Sequence, residues 1–393
     1  MNTQKILISA ILIAVVIGSI IYLNSQKAGQ GSGNEIVTVT PRISDVRETE
    51  QVSNSKEEIP LGKNTAPTIP SAVKKPLSPQ EKSNRYELAK EITTPDGFIN
   101  TDEKPITINQ YIGKKIILVD FWTYSCINCQ RTTPYLNAWY EKYKDKGFVI
   151  IGIHTPEFEF EKVYQNVLEA AKRLEIKYPV VLDNDYSTWN AYKNRFWPRK
   201  YLIDIDGYII YDHIGEGQYA ETEQKIQDAL KERMVVLGIK EEMAEDMAKT
   251  KNVLAVDFSK VKSPETYFGS SRNEFLGNGS RFTQGLQTLL APTNIALNKL
   301  YLAGDWNFQP EFAQNQSKEA KIIFRYNAKN VYLVAGSETG VKIKIKKDGN
   351  LIKEELVKDE KLYNIIENSD YGEHVLEIII ENPGLRAFAF TFG

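Results

Sequence analysis

Cys126 and Cys129 are the only cysteines in the chain, and their spacing decides what chemistry they can do. A structural disulfide framework needs several pairs closing longer loops. A structural zinc site needs two further ligands at ordered spacing, yet the histidines are only His154, His213 and His374, with no second cysteine pair. Haem attachment needs histidine directly after the second cysteine, where Gln130 stands. No metal is therefore assigned, and no cofactor is expected beyond a redox-active Cys126–Cys129 disulfide. Thiol-disulfide exchange is the chemistry that suits the pair. The apolar run before it ends where a helical pattern begins, which puts Cys126 at a helix start, where unsatisfied N–H groups and the helix dipole stabilise a thiolate. Cys126 is expected to attack a disulfide, and Cys129, one turn on along the same face, to resolve the mixed disulfide.

The elements that must position these thiols read as an α/β domain over residues 85–238. Residues 115–122 (KIILVDFW) form a buried strand, followed by a helix over 127–143 kinked at Pro134. A strand at 148–153, a helix at 158–174 and a short strand at 178–182 come next. Residues 201–205 and 208–211 flank Asp206-Gly207, a hairpin signal, before a helix from about Glu221. Asp120 stands out inside its apolar strand, because burying an unpaired carboxylate is costly. A charged helical connection is expected over 239–261. Short alternating strands then predict an all-β sandwich, jelly-roll-like, over 262–393. Val341, Ile343 and Ile345 alternate with lysines, and Phe388, Phe390 and Phe392 alternate with small or polar residues, so each strand should bury one face.

Residues 6–23 carry no charge over 18 positions, enough for a helix to cross a hydrocarbon core. Residues 1–23 are read as an uncleaved signal anchor, a single transmembrane helix with Lys5 on the cytoplasmic side, which puts the rest of the chain outside the cytoplasm at the cell membrane. Residues 24–84, rich in Ser, Pro, Lys and Glu, read as a disordered linker. A formal net charge of −2 provides no basic field for nucleic acid.

The stretch VDFWTYSCINC with Pro134 resembles the active-site region of thioredoxin-fold proteins. More narrowly, FWTYSCINCQRTTPYL, GIHTPEFEFEK, LDNDYSTWNAYKNRFWPRKYLID and GEGQYAETE resemble the soluble part of DipZ-like and TlpA-like thiol-disulfide oxidoreductases. In DipZ-like proteins a β-sandwich module also follows, so the resemblance covers about residues 86–393. It implies that Asp120 is a buried acid assisting proton transfer at Cys129. Pro198 would be a cis-proline facing the thiols, with the Trp197 backbone pairing an extended substrate segment, while Trp122 and Tyr124 would form an apolar rim around Cys126. It also implies reduction of disulfides in exported proteins. One apolar segment stands where DipZ-like proteins carry a multi-span electron-transfer domain, so electrons would come from a separate membrane donor of the CcdA or DsbD kind.

Two other functions compete. Thr123-x-x-Cys126 matches part of a peroxiredoxin pattern, although Val119 stands where that family has proline. A surface module gripping glycan or protein would use Tyr301, Trp306 and Phe308 as a stacking platform. His154, Glu157 and Glu216 are secondary candidates near the redox pair. Asp183, Asn184 and Asp185 form an acidic cluster that lacks the glycine and glutamate of a calcium loop.

Overall fold

The computed structural model describes residues 76–102 and 104–393. The apolar run at 6–23 and most of the expected linker lie outside the described residues. Among the residues described, no helix is long and apolar enough to cross a membrane. The end of that linker departs from expectation: Pro79–Ser83 forms a helical turn, α1. Ser78 caps it reciprocally, its hydroxyl accepting from Glu81 N while the Glu81 carboxylate accepts from Ser78 N. Lys82 pins the turn to the domain. Only 2% exposed, its ammonium meets Asp204 at 2.7 Å, Asp206 at 2.5 Å and Glu232 at 2.6 Å, the grouped counter-charges that a buried cation needs.

The first sheet comprises β1 (Gly97–Ile99), β2 (Ile116–Trp122), β3 (Phe148–His154), β4 (Val180–Leu182), β5 (Arg199–Ile203) and β6 (Ile209–Ile214), in the order β1-β4-β3-β2-β5-β6. Strands β2, β3 and β4 run parallel; β1, β5 and β6 pair antiparallel with their neighbours. The helices are α2 (Ile127–Tyr143), α3 (Tyr164–Arg173), α4 (Ser187–Ala191) and α5 (Tyr219–Leu237). Because strand side chains alternate, β2 feeds two cores. Ile116, Leu118 and Trp122 pack with Leu136 of α2 and Ile226 of α5. Ile117, Val119 and Phe121 pack on the other face with Trp189, Tyr192 and Tyr201. Asp120 has the parity of the first group, so it faces the layer that holds Cys129.

The helix expected over 158–174 is two pieces, a 3-10 turn at Glu159–Lys162 and then α3, separated by extended backbone at Val163. Glu161 caps the start of the 3-10 turn, its side chain accepting from the backbone N–H groups of Glu157 and Phe158. The helical connection expected over 239–261 is absent. Helix α5 stops at Gly238, which takes φ 65°, and Ile239 N returns to Met234 O. A short charged segment gains little as an isolated helix. It is held instead by side chains, with Ala248 N donating to Glu223 at 2.6 Å and Lys231 pairing Glu245 at 2.6 Å.

The β-rich half contains β7 (Thr266–Tyr267), β8 (Gly285–Leu289), β9 (Leu300–Phe308), β10 (Ala313–Asn315), β11 (Ala320–Gly336), β12 (Val341–Lys347), β13 (Asn350–Val357), β14 (Lys361–Ile380) and β15 (Arg386–Phe392). Where two stacked sheets were expected, hydrogen bonding makes one antiparallel sheet in the order β13-β12-β14-β11-β15-β10-β9-β8, with β7 on β15. Strand β11 makes this possible. It pairs β14 along one edge, and on the other edge it pairs β9 at residues 321–324 and β15 at 331–336, with irregularities near Ala328 and Val331 that let it bend. The inner face buries one core, including Trp306, Phe308, Phe324, Phe390 and Phe392. Trp306 and Phe308 are fully buried and Tyr301 is 9% exposed, so the expected stacking platform is core instead.

Phe388 does not share a face with Phe390 and Phe392. Val334 pairs Ala389 while Ala335 pairs Ala387, which leaves Phe388 as the extra residue of a bulge. Its ring turns out of the β core to meet Phe158 at 5.2 Å and Phe160 at 4.8 Å. With Tyr267, Val334 and Ala389 it joins the core built on β2 and α2, so the two halves share one apolar cluster and form one compact unit.

Candidate active site

Strand β2 ends at Trp122, and after a three-residue turn Cys126 is the N-cap of α2, at φ −75° and ψ 118°. No side chain caps this helix, so its start is open to a negative charge at Cys126. Gln130 N donates to Cys126 O at 3.0 Å, and the Gln130 amide donates to Tyr124 O at 2.8 Å, which fastens the turn to the helix. Pro134 lies within α2, where its missing N–H leaves the Gln130 carbonyl without its helical donor.

Both cysteines are free thiols. Cys126 is partly exposed, and its Sγ lies 3.9 Å from the carbonyl oxygen of Trp197. The Trp197–Pro198 bond is cis, and Pro198 is buried. The Trp197 ring packs on Trp189 at 4.3 Å, with its Nε1 donating to Thr155 O at 3.0 Å. Cys129 is 2% exposed. Burial pushes its thiol well above the usual range, with Cys126 and then Asp120 acting in the same direction.

Asp120 is buried, and burial raises its carboxyl to about 7 against the opposing pull of Lys200. Its Oδ1 has no hydrogen-bond partner among the described residues. Lys200, which sequence reasoning passed over, is the register partner of Asp120 on β5 and is fully buried. Directly opposed residues share a face, so this lysine points into the same layer as Asp120. Burial lowers its ammonium pKa, Asp120 being the first group that opposes the change. Its Nζ donates to Gly215 O at 3.1 Å, and Gly215 N donates to Pro198 O at 2.8 Å, linking the buried acid to the cis-proline loop. A lysine at the even parity of Leu202, in a strand also buried through Tyr201 and Ile203, was the available signal.

Trp122 and Tyr124 do not form an exposed rim. They are 2% and 1% exposed, because Trp122 faces the core and Tyr124 lies under the β-rich half, its hydroxyl donating to Glu360 O at 3.2 Å. His154 fills the space beside them, edge-on to Trp122 at 5.0 Å and stacked on Tyr124 at 5.7 Å. Burial lowers its pKa to about 3, so it stays neutral. Thr123, the residue that the peroxiredoxin pattern requires, is fully buried, with its hydroxyl 3.5 Å from His154 Nε2. Glu216 pairs the Arg131 guanidinium at 2.8–3.1 Å, and Arg131 in turn reaches Asn128 Oδ1 at 2.8 Å between the two cysteines. Glu157 turns to the β-rich half, accepting from Arg272 Nη1 at 2.7 Å and Tyr267 Oη at 2.9 Å. Asp183 accepts from Thr188 N, Trp189 N and Thr155 Oγ1 and so braces the start of α4. A cavity of about 300 Å³ at the seam is lined by Tyr124, Arg173, Lys358, Glu360 and Arg386 but not by either cysteine.

The sheet order, with α2 rising from a central strand and a cis-proline loop facing its start, is thioredoxin-like. The chain belongs to the thioredoxin-fold thiol-disulfide oxidoreductases of the DipZ and TlpA type. Residues 85–230 match the Redoxin family, and residues 263–393 match the Thioredoxin like C-terminal domain family. The chain is 36% identical over 309 residues to Protein DipZ of Mycobacterium tuberculosis, an alignment covering 77% of this chain and 43% of that protein. It therefore spans less than half the length of that relative. It is 31% identical over 152 residues to thiol-disulfide oxidoreductase ResA of Bacillus thuringiensis subsp. konkukian, covering 38% of this chain and 80% of ResA. Among solved structures, the thioredoxin domain of a thiol-disulfide oxidoreductase from Bacteroides vulgatus is similar at 27% identity and a TM-score of 0.30, covering 36% of this chain and 96% of that one.

Proposed function

We propose that the chain reduces disulfides in exported proteins through Cys126 and Cys129. The Cys126 thiolate attacks one sulfur of the substrate disulfide; that S–S bond breaks, and the departing substrate thiolate takes a proton. Cys129 then yields its proton to Asp120 and attacks Cys126 Sγ. The mixed disulfide breaks, releasing the second substrate thiolate and leaving a Cys126–Cys129 disulfide, so two electrons pass to the substrate. A separate membrane electron donor returns the pair to two thiols. The observation that carries this reading is the contrast between the thiols: Cys126 is partly exposed at an open helix start, whereas Cys129 is buried with a raised pKa over an acid titrating near 7. A buried thiol cannot attack while protonated, and Asp120 is suited to accept its proton at neutral pH. The Trp197 carbonyl beside Cys126 supports pairing with an extended substrate segment there. The apolar run at 6–23 supports anchorage to the cell membrane with the folded part outside the cytoplasm.

Trapping in the native compartment tests the division of labour. Cys129→Ser should accumulate mixed disulfides through Cys126, because attack persists while release is lost, and Cys126→Ser should accumulate none. Equal adduct patterns for the two variants on non-reducing gels would remove the assignment of nucleophile and resolver.

A further inference from the structure

Glu161 is a fully buried carboxylate with no cationic partner among the described residues, an arrangement that costs stability unless hydrogen bonds repay it. Four donors converge on it. Oε1 accepts from Ser125 N at 3.2 Å and Ser125 Oγ at 2.7 Å; Oε2 accepts from Glu157 N at 2.6 Å and Phe158 N at 3.0 Å. One oxygen therefore holds the residue immediately before Cys126, and the other holds the loop after β3.

That loop is gripped by the β-rich half. The Glu157 carboxylate is fixed by Arg272 and Tyr267, and Arg272 lies over the Tyr267 ring at 3.7 Å. Phe158 and Phe160 meet the bulged Phe388, while Glu159 N donates to Glu311 Oε2 at 2.9 Å. On the other side of Ser125, the Tyr124 hydroxyl is held by Glu360 O. An unbroken chain of contacts thus runs from the β-rich half through residues 157–160 and Glu161 to Ser125. The influence of a helix start on a thiolate falls off within the first turn, so small displacements of Cys126 change how well that thiolate is stabilised.

We infer that Glu161 is a positioning residue: through Ser125 it transmits the packing of the β-rich half to the Cys126 thiol and thereby sets the redox equilibrium of the pair. The inference rests on the proposed role of Cys126 and Cys129. Glu161→Gln keeps the shape but places an N–H₂ group against donors on one side, so one of the two grips is lost. Cys126 then drifts from the helix start, the thiolate form is less favoured, and the pair shifts toward the disulfide.

The test equilibrates the full chain with glutathione buffers and counts thiols by alkylation, with circular dichroism as the check on folding. Glu161→Gln should change the equilibrium constant toward disulfide by roughly tenfold, equivalent to about 30 mV. Ser125→Ala removes only the hydroxyl and should move it the same way by roughly threefold, which keeps the test open if Glu161→Gln fails to fold. Arg272→Lys, remote from the thiols, should also shift the constant in that direction, since lysine does not reproduce the guanidinium stacking. Combined with Glu161→Gln it should add little, because both act along one chain of contacts. A folded Ser125→Ala or Glu161→Gln with the unaltered constant overturns the inference, as does full additivity of Arg272→Lys with Glu161→Gln. If the unaltered chain never equilibrates with glutathione, the Cys126–Cys129 assignment itself falls, a failure distinct from that of the relay.

Discussion

Asp120 should leave a signature in the pH dependence of stability. Its carboxyl titrates near 7 in the folded chain against a reference of 3.8, with burial as the leading cause. Between those values the folded state holds a proton that the unfolded state has released, so stability falls as pH rises. The penalty is absent below about pH 4 and complete above about pH 7. A shift of about three pH units at about 1.36 kcal/mol each makes it about 4 kcal/mol. Asp120→Asn removes the titration but also the charge that favours the Lys200 ammonium, so it perturbs two groups at once. Asp120→Asn combined with Lys200→Met removes both groups and is the appropriate reference. Urea unfolding from pH 4 to 7.5 should show the unaltered chain losing about 4 kcal/mol relative to this double variant. Parallel stability curves over that window would refute the assignment of a raised carboxyl to Asp120.

Lys200→Met alone removes the charge that opposes protonation of Asp120, so the pH at which disulfide turnover reaches half its maximum should move upward; an unchanged pH profile would mean that the lysine does not act on the acid. Phe388→Ala empties the aromatic contact at the seam and should cost about 3–5 kcal/mol in urea unfolding, whereas a loss below about 1 kcal/mol would show that the two halves do not depend on a shared core.

What could be read in the sequence is what rests on local pattern. The run from Ile116 to Trp122, Cys126 at the helix start and the helix over Ile127–Tyr143 follow from apolar periodicity and the strand-to-helix switch. What escaped depends on pairings across the chain. Lys200 looks like an ordinary strand lysine until β5 is known to lie beside β2 in the register that opposes it to Asp120. Glu161 sits in a stretch whose apolar spacing suits a helix, and nothing in that spacing shows its hold on Ser125, 36 residues away. Phe388 was placed with Phe390 by a strict two-residue period, which a single bulged residue inverts. Lys82 lies in polar sequence that reads as linker, yet it reaches Asp204, Asp206 and Glu232 far along the chain.

Glu161, Asp183 and Asp120, three of the buried carboxylates in the redoxin half, separate by how their lone pairs are used. An ionised carboxylate accepts about four hydrogen bonds. Glu161 receives four, and Asp183 likewise receives Thr188 N and Ser187 Oγ on one oxygen and Trp189 N and Thr155 Oγ1 on the other. A proton arriving at either would have to displace a donor and loosen the segment that the donor holds, so these two groups are suited to fixing backbone. Asp120 differs. Its Oδ1 is buried without a partner among the described residues, and Lys200 stands across the strand pair rather than in contact. It can take a proton and lose it again without breaking a hydrogen bond at that oxygen, and its pKa near 7 makes both states accessible at neutral pH. Of these three, the group left unsatisfied is therefore the one that lies in the layer of Cys129, where resolution of a mixed disulfide, on the function proposed above, would release a proton.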